Sequence, residues 1–167
     1  MSARAAGFTL VEAVIVMTLL GILAWVAYPK LTATGEIRLD AAARRVAADL
    51  RYAQSRAIGT RVVHGLLFET GANRYTVYAP TVATPAVDPG DRAKPLRVDF
   101  ARRTEYKGVT LVSATFGATS GVSFDYFGVP RDTSGVDLAA SGRVVLTYQG
   151  LSDTVLVAPG TGKVTVK

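Results

Sequence analysis

The sequence predicts an α+β protein: a long N-terminal helix, transmembrane in its first half and amphipathic in its second, packed on an antiparallel β-sheet head. Three observations predict it. An apolar run, Phe8 to Tyr28, carries one charge in 21 residues. From Glu36 to Ile58 the apolar residues recur at helical spacing. Beyond Gly59 the period changes to two, and turn residues punctuate the chain.

Composition narrows the function classes. A chain of 167 residues, 49% hydrophobic and 19% charged with mean hydropathy +0.27, is too apolar to be disordered and long enough to bury a core. It has no cysteine, which excludes disulfide scaffolds, thiol catalysis and cysteine-held metal. Its one histidine, His64, leaves histidine-cluster metal sites and Ser-His-Asp machinery without their parts. The net charge of +6 attracts anionic partners but does not define a fold.

As a helix, Phe8–Tyr28 would span roughly 32 Å, the thickness of a bilayer's hydrocarbon core. A secretory signal peptide fits poorly, because no A-x-A site follows and the run is too long. Within it Glu12 is anomalous. A lone carboxylate in hydrocarbon costs about 2.5–3.5 kcal/mol, so it is a functional candidate by default.

Pro29 removes a helical hydrogen bond and predicts a kink near Tyr28, with Gly35 a second soft point. Leu39, Val46, Leu50, Ala53 and Ala57 then mark one helical face, Asp40 and Arg44 form a supporting i,i+4 pair, and Gly59 is the expected C-cap. Strands are expected at 61–69, 74–79, 109–112, 122–127, 143–148, 154–157 and 163–166, separated by glycine-, asparagine- and proline-bearing turns. Pro80 to Pro95 holds four prolines and reads as a long loop. No internal repeat is expected. The helix stripe supplies the surface against which the strands bury a face.

Gly7-Phe8-Thr9-Leu10-Val11-Glu12 followed by an apolar helix resembles the class III signal of type IV prepilins and type II secretion pseudopilins. The resemblance implies cleavage between Gly7 and Phe8 by a prepilin peptidase, N-methylation of Phe8, and an assembly role for Glu12, whose carboxylate would pair with a Phe8 amine. Three further segments are similar to the H-type minor pseudopilins and FimT-like minor pilins (the GspH/FimT family): Leu39 to Ala57, Phe124-Asp125 with Gly128-Val129-Pro130, and Pro159 with Thr161-Gly162-Lys163-Val164. This implies a pilin-like fold with a leader at 1–7, a transmembrane and filament-core helix at 8–28, an amphipathic helix at 29–59 and a β-rich periplasmic head at 60–167. It also implies a single-pass inner-membrane protein whose partners are other pilins or pseudopilins and the peptidase, with no cofactor and no small-molecule substrate.

Competing motifs fail on their spacing. Gly160-Thr161-Gly162-Lys163 lacks the earlier P-loop glycine, and Val164 stands where Ser or Thr is required. Gly121-Val122-Ser123-Phe124-Asp125 lacks the closing glycine of a nucleophile elbow. Asp88, Asp91, Asp132 and Asp137 fit no calcium-loop pattern and are read as turn residues, so neither a catalytic nor a metal site is expected. DNA-binding FimT-like proteins are associated with a basic C-terminal tail; here Lys163 and Lys167 are the candidate contacts, and the tail lacks arginine. Nucleic acid is therefore the secondary expectation. The expected function is a minor pseudopilin, not an enzyme, with a FimT-like minor pilin as the alternative.

Overall fold

The structure is a computed structural model describing residues 9–167, except the side chains of residues 26–34. It divides into two compact units, Met1–Gly35 and Glu36–Lys167. One helix, α1, is assigned over Leu10–Thr60.

In the first unit, Thr9 caps the helix. Its Oγ1 accepts the Glu12 backbone N–H at 3.3 Å, and its carbonyl accepts that of Ala13 at 3.1 Å. A threonine followed three residues later by glutamate is a capping-box start, with the acid at the positive end of the helix dipole. Thr18 returns its hydroxyl to the carbonyls of Val14 (2.9 Å) and Ile15 (2.8 Å), so it presents no unsatisfied donor to apolar surroundings. Pro29 lies within α1 and does not end it. Among the described residues no helix is long and apolar enough to cross a membrane. The described side chains of the apolar run stop at Trp25, and the rest of the expected span lies outside them.

The second unit begins with the amphipathic part of α1. Leu39, Val46, Leu50, Ala53 and Ala57 are all buried, as their spacing predicts, and Ala42, Ala43 and Ala47 widen the stripe. The helix runs one residue past Gly59, and Arg61, with φ 55°, takes the left-handed position expected of the glycine.

Nine strands follow in two antiparallel sheets. They are β1 (His64–Glu69), β2 (Arg74–Tyr78), β3 (Arg97–Asp99), β4 (Thr110–Thr115), β5 (Gly121–Phe124), β6 (Pro130–Asp132), β7 (Gly142–Tyr148), β8 (Leu151–Val157) and β9 (Val164–Val166). The first sheet has the order β3-β2-β1-β5-β6 and the second β4-β7-β8-β9. All seven expected strands form, but β1 starts at His64 and not at 61, and β5 ends at Phe124 because 125–127 turn; β3 and β6 are strands the periodicity does not predict. Both are three-residue edge strands, and β6 starts at a proline, which an edge tolerates. The loop from Pro80 to Pro95 is ordered by its own ladder, including Ala86 N–H to Val77 O at 2.8 Å and Leu96 N–H to Ala86 O at 2.7 Å.

The helix stripe and the inner faces of both sheets bury one apolar cluster. Its aromatic centre chains Phe116, Phe68, Tyr75, Phe100 and Tyr106 through ring centroids 5.5–5.8 Å apart.

Candidate functional site

Of the residues singled out for processing, Gly7 and Phe8 lie outside the described residues. Glu12 lies in the first turn of α1 and its side chain is exposed. Around it, Leu10, Val14, Ile15, Leu19, Leu20 and Leu23 are each more than half exposed. An α-helix apolar on all sides and unburied within its own chain must be covered by lipid or by other helices. In such surroundings the carboxylate gains only by meeting a cation or a hydrogen-bond donor.

The three segments that carry the family resemblance meet at one side chain of the first. Gln54, on α1, donates from Nε2 to the carbonyl oxygens of Gly128 and Thr161, each at 2.9 Å. Arg51, one turn earlier, donates to Val164 O at 2.9 Å. Gly128 (φ +81°) and Gly162 (φ +65°) leave the room this requires. A Cβ on Gly128 would sit 2.9 Å from Ile58 Cδ1, and one on Gly162 would sit 2.5 Å from Gln54 Nε2. The helix thus fixes both turns, and the residue types in the three segments answer to one junction.

The Phe124–Pro130 turn is built by Asp125, a buried carboxylate whose Oδ1 accepts the N–H groups of Phe127 and Val129, each at 2.9 Å. The next turn repeats the device. Asp132 Oδ1 accepts Ser134 N–H (2.9 Å) and Val136 N–H (3.0 Å), and Gly135 has φ +86° where Gly128 has φ +81°. The chain therefore holds a seven-residue repeat, Asp-x-x-Gly-Val at 125–129 and 132–136, contrary to expectation. Its signal was a pair of short turns, below the length at which repeats are usually sought.

A second polar knot lies between helix and sheet. Tyr75 Oη donates to Asp49 Oδ2 at 2.6 Å, and Arg45 Nε lies 3.0 Å from the same oxygen. Asp49 and Tyr75 are buried. Burial, reinforced by the Asp49 charge, raises the Tyr75 hydroxyl well above its ordinary value. The helical period put Asp49 beside the apolar stripe, but its tyrosine partner comes from 26 residues away and left no local signal.

The remaining candidates resolve into structural roles. His64 is buried, with Nδ1 2.7 Å from Val62 O. Asp88 and Asp91 accept N–H groups two residues ahead, at 2.8 and 3.1 Å. Asp137 lies 2.7 Å from Arg131 Nε, which is also near Asp125 through its Nη2 at 3.4 Å. Lys163 and Lys167 are both exposed, at opposite ends of β9, roughly 13 Å of strand apart. Lys167 shares a cleft of about 430 Å³ with Arg44, Arg51, Asp40 and Asp153, so its lining carries three cations and two carboxylates. Burial, with the Asp40 charge, raises the Asp153 carboxyl above its ordinary value.

Residues 2–28 match the family model described as the prokaryotic N-terminal methylation motif. No curated protein matches the sequence. Among solved structures, the chain is similar to the minor pseudopilin EpsH from the type 2 secretion system of Vibrio cholerae, with 12% identity, 78% of this chain and 96% of that one covered, and a TM-score of 0.56. A second EpsH crystal structure matches at 10% identity, 77% and 92% coverage and a TM-score of 0.55. The type IV minor pilin FimU of Pseudomonas aeruginosa matches at 17% identity, covering 77% of this chain and 87% of that one, with a TM-score of 0.51. The N-terminal motif and an α+β head of this topology together define a type IV pilin-like chain. Its head has the fold seen in EpsH and FimU.

Proposed function

We propose that the chain is a minor pseudopilin of the H type, assembling into a periplasmic pseudopilus that drives protein export by type II secretion, near its tip. The observation that carries this reading is the pairing of a methylation motif at residues 2–28 with a solitary Glu12 on a helix whose apolar side chains are unburied in the single chain.

The mechanism is assembly, not catalysis. Before processing, the apolar helix holds the precursor in the inner membrane, with the β head in the periplasm. A prepilin peptidase cuts after Gly7, and the Phe8 amine is methylated. Glu12 then pairs with a Phe8 amine, its own or a neighbour's, while Leu10, Val14, Ile15, Leu19, Leu20 and Leu23 pack helix to helix. An unpaired carboxylate among apolar helices is penalised, so the pair selects register.

A deletion in the producing cell tests the assignment. Loss of protein secretion with surface pili intact is the expected result. Loss of pili with secretion intact would instead make the chain a minor pilin of a type IV pilus, the reading that the likeness to FimU supports. On that reading Lys163 and Lys167 are the candidate DNA contacts, and a mobility shift with the detergent-solubilised chain at low salt tests them.

A further inference from the structure

The end of the head where α1 stops carries a surface that neither processing nor the Glu12 pairing uses. At the tip of the β5–β6 turn, Tyr126 and Phe127 project into solvent, 53% and 72% exposed, with ring centroids 4.3 Å apart. Ile58, half exposed, continues the apolar surface, since its Cδ1 lies against the Gly128 backbone. This tip is rigid. Asp125 holds the N–H groups of Phe127 and Val129, and Gln54 holds the Gly128 carbonyl. Aromatic rings already fixed in place lose little entropy on binding, which is the character of an interface hot spot.

The flanking charges are of one sign. Arg61 follows Ile58 by three residues at the helix end, and Lys163 adjoins Gly162, whose backbone abuts the Gly128 carbonyl. Both are exposed, and among the described residues neither has an ion-pair partner. Between Asp49 and Glu69 the chain has no acidic residue. The carboxylate in the turn, Asp125, is buried, holds backbone N–H groups and faces Arg131, which also pairs with Asp137.

We infer that this end of the head, centred on Tyr126, Phe127 and Ile58 and flanked by Arg61 and Lys163, docks a partner protein that offers an apolar pocket rimmed by carboxylates. A second copy cannot meet it face to face, because cations would oppose cations. A nucleic acid fits it less well than a protein does. The two rings lean on each other instead of standing as separate stacking platforms. The surface uses none of Gly7, Phe8 and Glu12, and it commits Lys163 to a protein in place of the DNA contact that the type IV pilus reading gives it.

A photo-crosslinking amino acid placed at Phe127 of the full-length chain, in the cells that produce it, tests the inference. The expected product is a crosslink to a protein at an apolar site flanked by Asp or Glu, mapped by peptide mass spectrometry. Its yield should fall at least tenfold in the double variant Arg61→Glu, Lys163→Glu. The same probe at Val112, an exposed position on β4, should give a yield that the double variant leaves unchanged. Crosslinks to nucleic acid, crosslinks confined to the chain itself, a partner site without carboxylates, or a Phe127 yield indifferent to charge reversal would each overturn the proposal.

Discussion

Gln54 Nε2 donates to the carbonyl oxygen of Gly128 at 2.9 Å, and the same nitrogen holds Thr161 O at 2.9 Å, so one helical amide ties two turns that lie far apart in sequence. Removing it would leave two carbonyls without this donor, at about 1–3 kcal/mol for each that water cannot reach.

Two glycines in the second of those turns make a matched pair. Gly160 and Gly162 both have positive φ, at +70° and +65°, but a Cβ on Gly160 meets nothing within 4 Å, whereas one on Gly162 meets Gln54 Nε2 at 2.5 Å and Gly128 O at 2.9 Å. Gly160→Ala is expected to cost about 1 kcal/mol, the strain of a left-handed alanine. Gly162→Ala is expected to cost at least about 2 kcal/mol, because the Gln54 contact must also break. Thermal unfolding of the two full-length variants in the same detergent checks the order.

The Asp49–Tyr75 pair predicts a second asymmetry. Tyr75→Phe removes a donor to a buried carboxylate and is expected to cost about 1.5–3 kcal/mol. Asp49→Ala removes the acceptor of Tyr75, leaves the partly exposed Arg45 without its partner and opens a gap beside the stripe, so a larger loss of about 2–4 kcal/mol is expected. Denaturant midpoints distinguish them, and equal losses would mean that Arg45 contributes nothing.

These two relationships show what the sequence made legible. The helical face from Leu39 to Ala57 and the seven expected strands followed from periodicity, because burial of one face imposes it on every residue. Asp40 and Arg44 also meet as their spacing predicts, at 2.8 Å, but both are exposed. Gln54, Asp49 and Tyr75 were not legible as partners, because hydrogen bonds across 26 to 107 positions leave no local pattern. Glu12 stood out as a charge in an apolar run. The Thr9 cap, whose hydroxyl accepts the Glu12 backbone N–H, was masked by the attention that charge draws.

Alkaline pH should destabilise the head through its buried tyrosines. Burial raises the Tyr78 hydroxyl from 10.0 to about 12, and raises that of Tyr75 as well. A folded-state value above the unfolded one means that the unfolded chain releases its protons first. Stability is therefore full below pH 10 and falls as pH rises toward 12. The slope is about 1.4 kcal/mol per pH unit for each tyrosine. Unfolding free energies across this range check it, and Tyr75→Phe should flatten the slope.

Substitutions separate the proposed pairing of the Glu12 carboxylate from the capping of the helix start by Thr9. Glu12→Gln keeps a side chain able to complete the capping box but removes the charge. Thr9→Ala removes the cap and keeps the charge. Both variants are expected to insert into the membrane normally. Only the Glu12 variant should lose incorporation into filaments, scored by co-purification with sheared or overexpressed filaments. Equal losses in both would assign Glu12 to helix capping alone.

The central claim is that processing turns a membrane-held precursor into a subunit whose new amine can meet Glu12. Intact-mass and N-terminal peptide analysis of the chain from cells bearing prepilin peptidase tests it most directly. The account predicts a chain that begins at Phe8 and carries a methyl group on its amine. A chain that still begins ahead of Gly7 in those cells would contradict it.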